Sequence, residues 1–264
     1  MIVLNHPQGS EDWLRARLGV CTASRFTDAR AKLSKASKNG NAGDPAADAI
    51  KYAWMLAVET IAGEPLDETF TTYAMRRGRE LEPQARAVYE ARTGAWVEEV
   101  SLILTDDSRF GYSADGFRDH DGLIEIKCPM ACDKLGAVWS SPETAHLEYI
   151  DQINGGLWIT GRKYCDLIVY CPWLAPVGKD LFVKRIHRDE AAIEALESDL
   201  VTFLRLVDAN LAVLRAPTKM TGRPKDEEAP TPAAAPPWEA TAAPTPAASP
   251  APTVAPGAIP APAF

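Results

Sequence analysis

The chain has 264 residues, with 28 Lys and Arg against 36 Asp and Glu for a formal charge of −8, 46% hydrophobic residues and 8% aromatic residues. This is the composition of a globular protein and excludes fibrous and wholly disordered classes; no apolar run approaches the roughly 18 to 20 residues that cross a bilayer. An acidic net charge supplies no global attraction for nucleic acid, so any such partner has to be argued from local residues.

The opening MIVLNHPQGSEDW lacks a basic stretch followed by an apolar one, so no secretory leader and a cytoplasmic location are expected. Ser10 before EDWLRARLG predicts a capped short helix stopped near Gly19, and Thr22 before ASRFTDAR predicts a second start. Residues 33–45 read as a polar loop. A helix is predicted over 46–62, ended by Gly63, and another over 72–93, ended by Gly94. The period then changes to two. WVEEVSLILT, FGYSADGF and GLIEIKC read as three strands of one antiparallel meander, the last two joined by the turn at Asp119–Gly122. A helix over about 143–160, strands YCDLIVYC and KDLFVKRIH, and a long helix over 189–215 follow. In the last helix Ile193, Leu196, Leu200, Phe203, Val207, Leu211 and Leu214 form one apolar stripe, read as core packing. The order predicts a mixed α/β fold with helices flanking a sheet.

From Pro217 onward the text changes character, holding 13 of the 21 prolines amid alanine. Residues 1–216 are read as one folded domain and 217–264 as a disordered Pro/Ala-rich tail. Pro236-Pro-Trp238 and Ile259–Phe264 place isolated apolar anchors in that tail, suited either to docking a partner or to nothing beyond spacing.

The chemistry is concentrated in Ser113-Ala-Asp115-Gly and Glu125-Ile126-Lys127. Side chains two apart in a strand share a face, so Glu125 and Lys127 point one way while Ile124 and Ile126 pack the other. Pairing across the turn sets Asp115 near Glu125. Two carboxylates and a lysine on one face suit a divalent cation, although the same spacing describes an ordinary ion pair on a solvated sheet. Glu82 on the preceding helix, with Glu80 ranked second, and Tyr149 with Gln152 on the following helix stand where such a site would be flanked. Cys128, Cys132, Cys165 and Cys171 have poor zinc-ligand spacing and read, with Cys21, as reduced thiols.

Five blocks in order carry a resemblance: Trp13–Ser24, Gly78-Arg-Glu-Leu-Glu82, Ser113-Ala-Asp115-Gly, Leu123-Ile-Glu125-Ile-Lys127-Cys-Pro, and Tyr149–Trp158. Together they resemble the phage lambda exonuclease and YqaJ-type viral recombinase nucleases of the PD-(D/E)xK superfamily, with a restriction-endonuclease-like fold. The resemblance implies that Asp115, Glu125, the carbonyl of Ile126 and Glu82 hold Mg²⁺, two ions with Mn²⁺ as a substitute. It implies that Lys127 positions and activates the attacking water and that Gln152 supports it. It maps a 5′-phosphate pocket onto Arg17, Ser24 and Ser113, and Ala114 replaces the usual proline before the aspartate. The implied activity is a 5′→3′ exonuclease on double-strand DNA ends that leaves 3′ overhangs for strand annealing. The implied assembly is a ring-shaped homotrimer around the duplex. Arg76, Arg77, Arg79 and Tyr149 are candidate DNA contacts, and an annealing or single-strand-binding protein is a candidate partner of the tail. A nicking or structure-specific endonuclease on the same site, or an end-binding adaptor, are the alternatives.

Overall fold

A computed structural model describes residues 1–36, 40–66 and 73–217, of which residues 1–216 form one compact unit. The proposed tail beyond residue 217 and Lys38 of the polar loop lie outside the described residues.

A short strand β1 (Ile2–Leu4) precedes α1 (Glu11–Ala16), which Ser10 caps by accepting from the Trp13 N–H at 3.3 Å. Gly19 takes a left-handed φ of 67° and turns the chain into β2 (Cys21–Thr22). Thr22 does not cap the next start. A 3₁₀ turn and the one-turn α2 (Phe26–Ala29) follow without it. Helices α3 (Ala47–Ala62) and α4 (Tyr73–Thr93) end near the predicted positions, at left-handed Gly63 and Gly94, because only a residue without Cβ reverses there without strain.

The predicted meander is not one sheet. WVEEVSLILT divides into β3 (Val97–Glu98) and β4 (Leu102–Leu104), and FGYSADGF into β5 (Phe110–Ser113) and β6 (Gly116–Arg118). One sheet has the order β1-β4-β5-β2. The other runs β3-β6-β7-β8-β9, with β7 at Gly122–Lys127, β8 at Tyr164–Tyr170 and β9 at Leu181–His187. The first two predicted strands therefore lend one half to each sheet, while GLIEIKC stays whole as β7. The physical cause lies at Asp115: beyond the Gly116–Ile124 pair, its carboxylate Oδ2 takes the Ile126 N–H at 2.6 Å, occupying a donor that would extend the β6–β7 ladder. Side chain replaces backbone, and the two sheets part there.

Strands β7 and β8 are parallel, with Glu125 opposite Leu167. As the alternation predicts, Ile124 and Ile126 join Ile168 and Tyr170 in a core beneath Ala85 and Tyr89 of α4. The opposite face of β8, through Cys165, Leu167 and Val169, belongs to the main core. All five cysteines are free thiols; Cys21, Cys165 and Cys171 are buried.

A helix α5 (Cys132–Ser140), absent from the pattern reading, packs Trp139 edge-on to Phe182. The next helix begins later than predicted, at α6 (Ile150–Thr160). Lys184 donates to the carbonyls of Pro142 and Glu143 at 3.1 and 2.6 Å, so that segment is held in turns. Gly155 and Gly156 let α6 press against the core: a Cβ at Gly155 would stand 2.5 Å from the buried Phe26 ring, and one at Gly156 2.8 Å from Tyr112. Gly155→Ala is therefore expected to cost about 1 to 3 kcal/mol by overpacking, measured by urea unfolding. The final helix α7 (Glu190–Arg215), capped by Asp189, buries Ile193, Leu196, Leu200, Phe203 and Val207, with Phe203 stacked on Tyr52 at 5.3 Å. The stripe is core, as read, until Leu214, which is exposed. No described helix is long and apolar enough to cross a membrane.

Candidate active site

Asp115 sits in the two-residue crossover between the sheets, and Glu125 and Lys127 lie near the carboxyl end of β7. Glu125 is 1% exposed, and each of its oxygens has a partner. Its Oε1 accepts from Gln152 Nε2 at 2.6 Å and lies 2.8 Å from the Lys127 ammonium, while Oε2 accepts from the Tyr112 hydroxyl at 2.9 Å. Lys127 also donates to Gln152 Oε1 at 3.0 Å and stands 5.1 Å from the Tyr149 ring centre. The sequence-predicted Asp115, Glu125, Lys127, Gln152 and Tyr149 are thus brought together.

Glu82 reaches the same group from α4. Its Oε1 accepts from Arg86 at 2.9 Å, and Arg86 also pairs with Glu99 at 2.6 Å and donates to the Asp115 carbonyl at 3.1 Å. Glu80 is exposed. Tyr112 and Arg86 escaped the sequence reading. A signal existed for each: Glu82 and Arg86 have helical i,i+4 spacing, and Tyr112 alternates with Phe110 toward the core.

The electrostatics are those of crowded acids. Burial, then the charges of Glu125 and Glu82, push the Asp115 carboxyl well above the usual carboxylate range, against the opposing Lys127 and Ile126 N–H. Burial raises Glu82 too, with Glu125 and Glu99 adding to it against Arg86 and Lys127. For Lys127 burial disfavours the charge, but Glu125 and Asp115 prevail and lift it to about 12.

This donor set fits a hard divalent cation. It consists of oxygens, it is short of positive charge, and among the described residues no donor reaches Asp115 Oδ1. Among the described residues no three acidic, histidine or cysteine groups already stand together as a closed cage. Mg²⁺ does not require one, because it keeps several waters and is bound through one or two carboxylates plus phosphate oxygens.

A second cluster adjoins the first. The Arg17 guanidinium stacks on Trp13 at 4.1 Å and donates to Thr22 Oγ1 at 3.5 Å, and Thr22 Oγ1 stands 3.5 Å from Ser24 Oγ. Trp13 Nε1 in turn donates to Ser113 Oγ at 3.2 Å. Arg17, Ser24 and Ser113 are joined through Thr22 and Trp13, whose part was not read from sequence. Arg76 and Arg79 are exposed and form no ion pair among the described residues, while Arg77 stacks on Trp173. Lys32 of the polar loop is bound to Asp199 on α7.

The five-stranded mixed sheet, its flanking helices and the acid-and-lysine cluster at a strand end define a restriction-endonuclease-like core. The profile described as the YqaJ-like viral recombinase domain matches residues 12–163, more than half of the chain, and the chain belongs to that family. It is similar to the crystal structure of LHK-Exo in complex with dAMP, at 35% identity and a TM-score of 0.67 over 78% of this chain and 96% of that one. The structure described as an alkaline exonuclease (LHK-Exo) from Laribacter hongkongensis gives 35% identity and a TM-score of 0.65 over the same shares. A phage related exonuclease from Haemophilus somnus 129PT shares the fold at 13% identity, with a TM-score of 0.59 over 74% of this chain and 96% of that one. A comparison with curated protein sequences gave no match.

Proposed function

We propose that the chain is a metal-dependent exonuclease on double-strand DNA that removes nucleotides 5′→3′ and leaves a 3′ overhang for recombination by strand annealing. The observation that carries this reading is the convergence of Asp115, Glu125, Lys127 and Gln152 at the carboxyl end of β7. One relative at 35% identity, LHK-Exo, described as an alkaline exonuclease and represented by two crystal structures, supports it. Asp115, Glu125, the Ile126 carbonyl and Glu82 would hold Mg²⁺ or Mn²⁺. That cation would neutralise the phosphodiester and acidify a water.

The protein groups have separable tasks. Gln152 clamps Glu125 and Lys127 together, so the ammonium is aimed before substrate arrives. Lys127 then donates to the attacking water or to a phosphate oxygen, where negative charge grows. Arg17 can grip a terminal phosphate with its planar fork, and the Ser24 and Ser113 hydroxyls can donate to the remaining oxygens. The same reading extends to a homotrimer threaded by the duplex, to be tested by sedimentation, with the tail recruiting an annealing or single-strand-binding protein.

End-labelled linear duplex and closed circular DNA separate this proposal from its rivals. Progressive shortening of linear duplex with circles left intact is expected. Nicked circles would establish an endonuclease, and binding without cutting an adaptor. Arg17→Ala is expected to slow degradation of 5′-phosphorylated ends by about tenfold or more while sparing 5′-hydroxyl ends, since a charge-assisted hydrogen bond contributes roughly 1.5 to 3 kcal/mol. Equal slowing on both ends would remove Arg17 from phosphate recognition.

A further inference from the structure

Trp173 stands in the 3₁₀ turn Pro172–Val177 that follows β8, and 61% of its surface is exposed. The turn is braced: Leu174 N–H donates to the Cys171 carbonyl at 3.0 Å, Cys171 N–H to Asp180 at 2.8 Å, and Lys179 N–H to Leu174 at 3.1 Å. An indole presented on such a support keeps its direction. One of its faces is covered by the Arg77 guanidinium, 4.3 Å from the ring centre. Arg77 Nη1 is itself buried, yet meets no hydrogen-bond acceptor among the described residues. A guanidinium nitrogen held out of water without an acceptor is costly, so little opposes a turn of the Arg77 side chain that brings it to an anionic oxygen.

The pair stands on elements that border the acidic cluster, α4 and the turn after β8. Arg77 precedes Glu82 on α4 by five residues, and β7 and β8 run parallel to a shared end at Lys127 and Val169. Cys128, next in chain after Lys127, lies within electrostatic reach of Arg77, Asp115 and Glu82 together. Resting on the nuclease reading for which strand comes near, we propose that Arg77 and Trp173 form a single-strand DNA holding site. The half-buried Arg77 guanidinium turns to donate to a non-bridging phosphate oxygen, and the open face of the Trp173 indole stacks on a base of the same strand. Phosphate and base alternate along a nucleic acid, which is why one cation beside one flat ring matches it better than either does a protein surface.

The test is anisotropy of fluorescein-labelled oligothymidine with the full chain carrying Lys127→Ala, so that cleavage does not consume the probe. Trp173→Ala is expected to weaken binding about tenfold, and Trp173→Phe to retain most of it, because any aromatic face stacks on a base. Arg77→Ala is expected to weaken binding and reduce the slope of log affinity against log salt by about 0.7, one phosphate contact on a single strand. Arg77→Lys is expected to restore that slope without the full affinity, because its point charge cannot lie flat on the indole. Affinity of Trp173→Ala within twofold of its parent, or an unchanged salt slope in Arg77→Ala, overturns the holding site. Failure of the unsubstituted chain to cut any DNA would instead overturn the nuclease reading, leaving these binding results to be judged on their own.

Discussion

Lys127→Met is expected to abolish exonuclease turnover, with a loss of about a thousandfold, in the range of removing one positioned proton-handling group. The reason is local. Among the described residues the ammonium is the one cation given both Glu125 Oε1 at 2.8 Å and Gln152 Oε1 at 3.0 Å, and no other group in that contact set brings a positive charge to an incoming water. The fold is expected to survive, since Glu125 keeps its bonds from Tyr112 and Gln152. Circular dichroism of the variant should overlay that of the parent while product release from labelled duplex vanishes. Parental turnover would remove Lys127 from the reaction.

The second large effect is on stability. Asp166 is 1% exposed on the α4 side of β8, gripped in a fork by Arg185 at 2.7 and 2.9 Å, by the Tyr89 hydroxyl at 2.6 Å and by Arg118. Asp166→Asn keeps the shape but removes the counter-charge of Arg185 and one of the two that face Arg118, which keeps Asp119 at 3.4 Å. A loss of about 3 kcal/mol in urea unfolding at neutral pH is expected, near the lower end for breaking a buried pair because Arg185 is partly in solvent. The sign with pH follows from the direction of the shift. Burial alone would raise the Asp166 carboxyl, but Arg185, Tyr89 and Arg118 hold it below its ordinary range. Its contribution is therefore complete above the unfolded value of about 3.9 and fades as pH falls through the lower folded value. Parent and variant should converge in stability below about pH 4, and a gap that stays constant into acid would refute this account.

Helices were legible where their ends carry chemistry: Ser10, Gly63 and Gly94 all mark real boundaries. The strand alternation around Glu125 and Lys127 was equally plain, because one face of β7 meets a hydrophobic layer. Assignment of strands to sheets was not legible. A period of two says which way a side chain points, not which neighbour its backbone pairs with, and the division hinges on a single long-range bond from Asp115 to Ile126. The late start of α6 was hidden for the same reason, since Lys184 lies 41 residues from the Glu143 carbonyl it takes. At the site, residue types with strong chemistry stood out. Tyr112 and Trp13 did not, because an aromatic in a strand or helix reads as core until its polar atom is seen to find Glu125 or Ser113.

The crossover between the sheets has one more consequence for the proposed reaction. Ser113, joined through Trp13 to Arg17, and Asp115, paired with Ile126, are two residues apart, a span of at most about 7 Å of backbone. Under the proposed function, the end-sensing and cutting groups would thus be mounted on a caliper whose jaws are spaced by covalent geometry. A tool of that kind cannot vary its bite, so mononucleotides, not mixed oligomers, should accumulate as the enzyme advances.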